Sequence, residues 1–177
     1  MNRMTLCAAA VAAIAFASPA MAQDAATATA PAGFRVEALV GWDRPSIDGF
    51  HDNGVLFGVG AGYDVAVGNS VSLGVDVEAS DSTAKKSGVS TRRDLYAGGR
   101  VNFAVSPNAN LYVRGGYTNA RFKLDGLGSG NADGFRVAGG GQFGIGGKAY
   151  VGGEYRYSNY EAGIERHQVA LTLGTRF

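Results

Sequence analysis

From Phe34 to the last residue, apolar side chains alternate with polar or small ones through eight successive segments. A period of two is the signature of a strand, because neighbouring side chains point to opposite faces. Phe34, Val36, Ala38, Val40 and Trp42 share one face, opposite Arg35, Glu37, Leu39 and Gly41. Val55, Phe57, Val59, Ala61 and Tyr63 oppose Gly58, Gly60, Gly62 and Asp64, and Val71, Leu73, Val75 and Val77 oppose Ser72, Gly74, Asp76 and Glu78. Leu95, Ala97, Val101 and Phe103 stand against Asp94, Tyr96, Arg100 and Asn102; Leu111, Val113 and Tyr117 against Tyr112, Arg114 and Thr118. Phe135, Val137 and Phe143 face away from Arg136, Gly140 and Gln142, and Val151, Tyr155 and Tyr157 from Tyr150, Glu154 and Arg156. The final strand sets Val169, Leu171, Leu173 and Phe177 against Gln168, Thr172 and Arg176. The fold class is all-β, and each segment is about the 9–11 residues of a tilted membrane strand.

The connections alternate in length. Short turns at Val67–Ser70, Ser106–Ala109 and Gly146–Lys148 carry Gly, Asn or Pro, the residues that supply turn geometry. Longer polar links lie around Arg44–Asn53, Asp81–Ser90, Lys123–Asp133 and Asn159–Arg166. With the strands running alternately up and down, Phe34, Tyr63, Phe103, Phe143 and Phe177 gather at the short-turn rim, and Trp42, Tyr117, Phe135 and Tyr157 at the other. Two aromatic belts around an aliphatic band match the two interfaces of a bilayer.

The amino terminus predicts export. Arg3, the apolar run Leu6–Ala17 and Ala20-Met21-Ala22 read as a signal peptide over residues 1–22, with the mature chain starting near Gln23. Leu6 before Cys7 argues against a lipoprotein site, and no later segment has the ~20 apolar residues of a spanning helix. Residues 23–33 read as a flexible lead-in and 34–177 as one domain. Without the signal no cysteine remains, so disulfides contribute nothing, and loss of Arg3 leaves 15 basic residues against 15 acidic. That neutrality gives no field for nucleic acid. Glycine is abundant at 28 residues while proline is only 4, which fits close-packed strands better than disorder.

Which face points inward follows from chemistry. A soluble barrel would hide the apolar face and show water a dense polar one. Here the polar face is rich in glycine, as a narrow eight-stranded barrel filled by its own side chains requires. Among those glycines stand Glu37, Asp76, Glu78 and Glu154 with Arg100, Arg114, Arg136 and Arg156, a candidate lumen charge network in which carboxylates and guanidinium groups can pair. The apolar face is then the lipid face.

An alternating strand ending on an aromatic residue, through Val169, Leu171, Leu173 and Phe177, resembles the last strand of bacterial outer-membrane β-barrels. In that family the pattern is the signal read by the assembly machinery; Thr175 stands where a bulkier residue is usual. Nearly the whole mature chain resembles a small OmpA/OmpX-type eight-stranded antiparallel up-and-down transmembrane β-barrel, without the periplasmic peptidoglycan-binding domain of full OmpA proteins. The resemblance implies an integral outer-membrane protein in contact with outer-membrane lipid and lipopolysaccharide. Its role is expected to be structural or surface-interacting with a plugged lumen, the alternative being a narrow porin-like channel. Oligomeric state is not specified by the sequence.

No cofactor chemistry is expected. Gly58, Gly60 and Gly62 sit at period two with no helix after them, which makes them lumen fillers and not a nucleotide loop. His51 and His167 lack partners at metal-ligand spacing. His167 near Glu165 invites comparison with outer-membrane lipid A hydrolases, but no serine motif accompanies them, so no enzyme is expected. Lys85 and Lys86 read as a solvated loop able to meet anionic lipopolysaccharide.

Overall fold

The computed structural model describes residues 28–177 apart from 48–49, 52, 87–88 and 125–127, so the signal segment lies outside the described residues. Eight long strands run in order: β1 (Gly33–Ile47), β2 (Gly54–Ala66), β3 (Val71–Ser82), β4 (Val89–Ser106), β5 (Ala109–Leu124), β6 (Gly128–Gly146), β7 (Ala149–Tyr160) and β8 (Ile164–Arg176). Two-residue pieces, Phe50–His51 and Lys85–Lys86, extend the sheet beside β1 and β4. Each strand is antiparallel to its sequence neighbours, and β8 returns to β1 with partners from Arg35↔Arg176 to Ser46↔Glu165. The sheet is thus a closed up-and-down barrel with no unpaired edge.

The strands exceed the expected length: β4, β5 and β6 have 18, 16 and 19 residues. They run through much of the segments read from sequence as the loops Asp81–Ser90 and Lys123–Asp133. Hydropathy marks only the part of a strand that meets lipid. Beyond it both faces meet water, alternation fades, and the backbone ladder continues unannounced.

Burial is inverted relative to a soluble domain. Outward Val40, Val59, Val75, Val113, Val137 and Leu171 are exposed on the isolated barrel, and Arg35, Asp64, Asp94, Arg136 and Arg156 are buried inside. Leu39, Leu56 and Ala170 form a small apolar cluster on the β1–β2–β8 wall. The aromatic belts stand as expected, with Phe34 and Phe177 ring centroids 6.1 Å apart and the Phe177 N–H donating to the Phe34 carbonyl at 2.8 Å.

The lead-in is partly placed. The Ala30 N–H donates to the Asn69 carbonyl at 2.7 Å, and Ala30 is buried. Thr29, Pro31 and Ala32 border a cavity of about 370 Å³ at the short-turn mouth, together with Gln142, Tyr150 and Arg176. Among the described residues no helix is long and apolar enough to cross a membrane.

Candidate functional site

Eight strands leave an interior only wide enough for side chains, and this one is filled by ion pairs. All eight residues expected in the lumen network point inward and are buried: Glu37, Asp76, Glu78, Arg100, Arg114, Arg136, Glu154 and Arg156. Glu78 is the hub of the midsection. Arg156 grips it with both terminal nitrogens, Nη1 to Oε1 at 2.7 Å and Nη2 to Oε2 at 3.0 Å. Arg114 Nη2 lies 2.8 Å from Glu78 Oε2 and 2.6 Å from Glu154 Oε1, and Arg136 Nη1 reaches Glu78 Oε1 at 3.5 Å. Arg156 also bonds Glu154. Such forked, charge-assisted bonds are the strong and directional kind.

The same barrel holds charges that the sequence reading left out of the network. Toward the short-turn mouth, Arg35 bonds Asp64 at 2.6 Å and also Asp76, while Arg176 bonds Asp64. Arg100 joins this group through Asp76 at 3.1 Å and Glu37 at 3.4 Å. Glu37 in turn accepts from Tyr150 Oη at 3.1 Å. Toward the loop mouth, Arg166 is bidentate on Asp43 at 2.7 and 2.6 Å and reaches Asp94 at 2.9 Å. Asp94 also accepts from Thr118 at 2.6 Å and Tyr160 at 2.9 Å, and bonds Arg136.

Arg114 and Arg136 therefore stitch three tiers into one network, since Arg114 also stands 3.9 Å from Asp76 and Arg136 spans Glu78 and Asp94. Among the described residues, seven arginines meet seven carboxylates along the axis. The sequence supplied the missing members at inward positions. Arg35 and Asp64 alternate with the outward residues, Asp43 lies one step past the alternating run that ends at Trp42, and Arg166 lies in a polar stretch that reads as loop and that the structure makes strand.

Aromatic rings line the remaining space. The Arg100 guanidinium lies 4.0 Å from the Tyr112 ring centroid, and Arg114 and Arg136 lie 5.0 and 5.5 Å from that of Tyr96. Tyr96 Oη, Arg100 Nη1, Arg114 Nε and Glu154 Oε2 are buried without a protein hydrogen-bond partner. Small polar interiors satisfy such groups with bound water.

The terminal-strand residues Val169, Leu171, Leu173 and Phe177 all face outward. Gly58, Gly60 and Gly62 face the lumen on β2, where an added Cβ at Gly62 would collide with Arg35 and Asp76. His167 is on the outer face: its Nδ1 is 2.7 Å from Tyr155 Oη, while Glu165 accepts from Tyr157 Oη at 3.1 Å. The Tyr157 ring also lies 5.2 Å from that of His167, so His167 and Glu165 sit in one cluster with Tyr155 and Tyr157. Among the described residues no group of three or more His, Cys, Asp or Glu is placed to hold a metal ion.

Residues 8–177 match the outer membrane protein beta-barrel domain family. No curated protein matches the sequence. Among solved structures, Neisserial surface protein A superposes with a TM-score of 0.64 at 17% identity, over 82% of this chain and 97% of its own. Ail, the attachment invasion locus protein of Yersinia pestis, gives 0.61 at 18% identity over 82% and 99%. The N-terminal barrel domain of Pseudomonas aeruginosa OprF gives 0.51 at 14% over 79% and 96%. At these identities the likeness is one of fold. With the match across nearly the whole sequence, an apolar outer face between aromatic belts and a closed antiparallel barrel, the chain belongs to the outer membrane protein β-barrel domain family as an eight-stranded transmembrane barrel.

Proposed function

We propose that the protein is an integral outer-membrane barrel with a structural or surface-interaction role, and that its lumen is closed to steady ion flow. The observation that carries this reading is the midsection around Glu78, where Arg114, Arg136 and Arg156 converge from three strands with side chains no more than 2% exposed. A guanidinium fork held by carboxylates leaves no continuous water column. The fold neighbours support the surface role by their nature: one is named a surface protein and another an attachment invasion locus protein. His167 and Glu165 are rim contacts in this reading, with no catalytic part.

Planar-bilayer recording of the refolded full chain tests it. The expected result is no steady conductance, with any current small and intermittent. Stable, ion-selective channels from the unmodified protein would replace this reading with the narrow-porin alternative.

Assembly belongs to the same proposal. Residues 1–22 act as a cleaved signal for export, and Val169, Leu171, Leu173 and Phe177 present the outward terminal pattern to the assembly machinery. Deleting Phe177 should lower the amount of folded barrel in the outer-membrane fraction while export continues. Unchanged folded levels would remove the terminal residue from that role.

A further inference from the structure

Seven of the eight ladders join strands that follow one another in the chain, so a connection limits how far each pair can slide. The β1–β8 ladder is the exception, because its strands lie at the two ends of the barrel sequence. Where a hairpin turn is present it fixes the register. At this seam something else must.

Hydropathy is not enough. Side chains alternate with a period of two, so a slip of one residue turns the apolar face inward, while a slip of two restores it. In the observed register Val40 faces Leu171. Moved two residues either way, it would face Val169 or Leu173, both apolar and both exposed on the outer face. The lipid face therefore accepts a two-residue error.

The lumen face does not. Near the loop mouth, Asp43 of β1 accepts a fork from Arg166 of β8, Nε to Oδ1 at 2.7 Å and Nη2 to Oδ2 at 2.6 Å. Gln168 Nε2 adds a third bond at 3.2 Å, and all three side chains are buried. A slip of two would carry Arg166 about 7 Å along the strand and break the fork. At the short-turn end, Arg35 of β1 stands directly opposite Arg176 of β8. Like charges in that position oppose pairing. One carboxylate reconciles them: Asp64 of β2 bonds Arg35 at 2.6 Å and bonds Arg176 as well. Asn102 Nδ2 donates to its other oxygen at 3.1 Å. Between these two ends the inward seam pairs are Glu37 with Gly174, Leu39 with Thr172 and Gly41 with Ala170, none of which is an ion pair.

We propose that Asp43 and Asp64 select the register at which the barrel closes, Asp43 by gripping Arg166 and Asp64 by joining Arg35 to Arg176. Apolar alternation brings β8 beside β1 in several registers two residues apart. The observed one gives both buried acids their cations. Glu78 and Glu154 differ in role, since their arginines stand on β5, β6 and β7 and leave the seam untouched. Register selection of this kind holds whether or not the lumen conducts.

The test is cross-linking at the seam. Cys7 is the sole cysteine of the chain, so Cys7→Ser leaves only introduced thiols. The native pair Val40→Cys/Leu171→Cys is compared with the slipped pairs Val40→Cys/Val169→Cys and Val40→Cys/Leu173→Cys, using a short dithiol reagent on the full chain refolded into vesicles. Only the folded, heat-modifiable gel band is scored. With the acids intact the native pair should cross-link roughly tenfold more than either slipped pair, as the loss of a buried ion pair on slipping requires. In Asp43→Asn/Asp64→Asn a slipped pair should rise to a yield comparable with the native one. Glu154→Gln, which also removes a buried carboxylate, should keep the native preference. Arg166→Lys, which keeps the charge and loses the fork, should erode the preference part of the way, and it decides the matter if the double variant yields no folded band. A native preference that survives in the folded double variant, or in Arg166→Lys where that one decides, would overturn the proposal. So would an equal erosion by Glu154→Gln, which would make register a matter of general stability.

Discussion

Gly98 and Gly99 are neighbours in β4, and Gly115 and Gly116 are neighbours in β5, yet the members of each pair meet opposite surroundings. A Cβ on inward Gly98 would strike Tyr96 Oη and the Gly115 carbonyl, and one on inward Gly116 would strike the Ala97 carbonyl and Gly98 Cα. A Cβ on outward Gly99 would find its nearest atom at 3.9 Å, and on outward Gly115 at 3.6 Å. One sheet thus answers to two physical rules. The inner face is limited by volume and by charge balance, where each side chain depends on named partners. The outer face is limited by hydropathy alone, where many apolar residues serve equally.

The first way to break this contrast is to remove a partner from the inside. Arg114→Met takes one cation from Glu78 and one from Glu154, both buried carboxylates. Breaking a buried pair by removing one member typically costs about 3–5 kcal/mol, because the remaining charge is uncompensated. Urea unfolding in vesicles measures it. Removing Glu154 as well, in Arg114→Met/Glu154→Gln, should recover part of the loss. If the single change costs under about 1 kcal/mol, the network is not what limits the inner face.

The second is to put a charge on the outside. Val75 is 65% exposed on the isolated barrel, near the middle of the outward row of β3, so Val75→Arg should cost roughly 2–4 kcal/mol in lipid. Val105, at the short-turn end of β4, should tolerate the same change at about 0–1 kcal/mol. Equal costs at the two positions would mean that depth in the bilayer does not govern this face.

How far these two faces could be read beforehand differs. The outer face was legible residue by residue, since Val169, Leu171 and Leu173 announce themselves by alternation and hydropathy. The strand count and the short turns followed from the same signal. Inside, the sequence identified the residues without their partners. Arg136 bonds Glu78 and Asp94 from across the lumen, and that choice is set by the stagger between strands, which no local pattern carries. Arg166 was hidden for a different reason. It follows the short 3-10 turn Glu161–Gly163 in a polar stretch that reads as loop until the ladder is known. The shift in β4–β5 register between Arg92 and Asp94 leaves no mark in composition at all, because a one-residue offset between strands appears only when both are in register.

The smallest expected effects give the sharpest comparison, because a single methyl group is placed on either side of one peptide unit. Gly98→Ala forces the new Cβ against Tyr96 Oη and a backbone carbonyl, and the carbonyl cannot move without disturbing the β4–β5 ladder. Overpacking of this kind costs about 1–3 kcal/mol. Tyr96 can rotate away only by leaving the guanidinium groups of Arg114 and Arg136. Gly99→Ala adds its methyl toward lipid, where nothing in the barrel lies closer than 3.9 Å. It also removes the excess backbone freedom of glycine from the unfolded chain, so it should be neutral or stabilising by roughly 0.5–1 kcal/mol. Paired urea titrations in the same vesicles read both. A loss at Gly99 as large as at Gly98 would show that the outer face is packed against something other than lipid, and that the two faces do not divide the work as their geometry indicates.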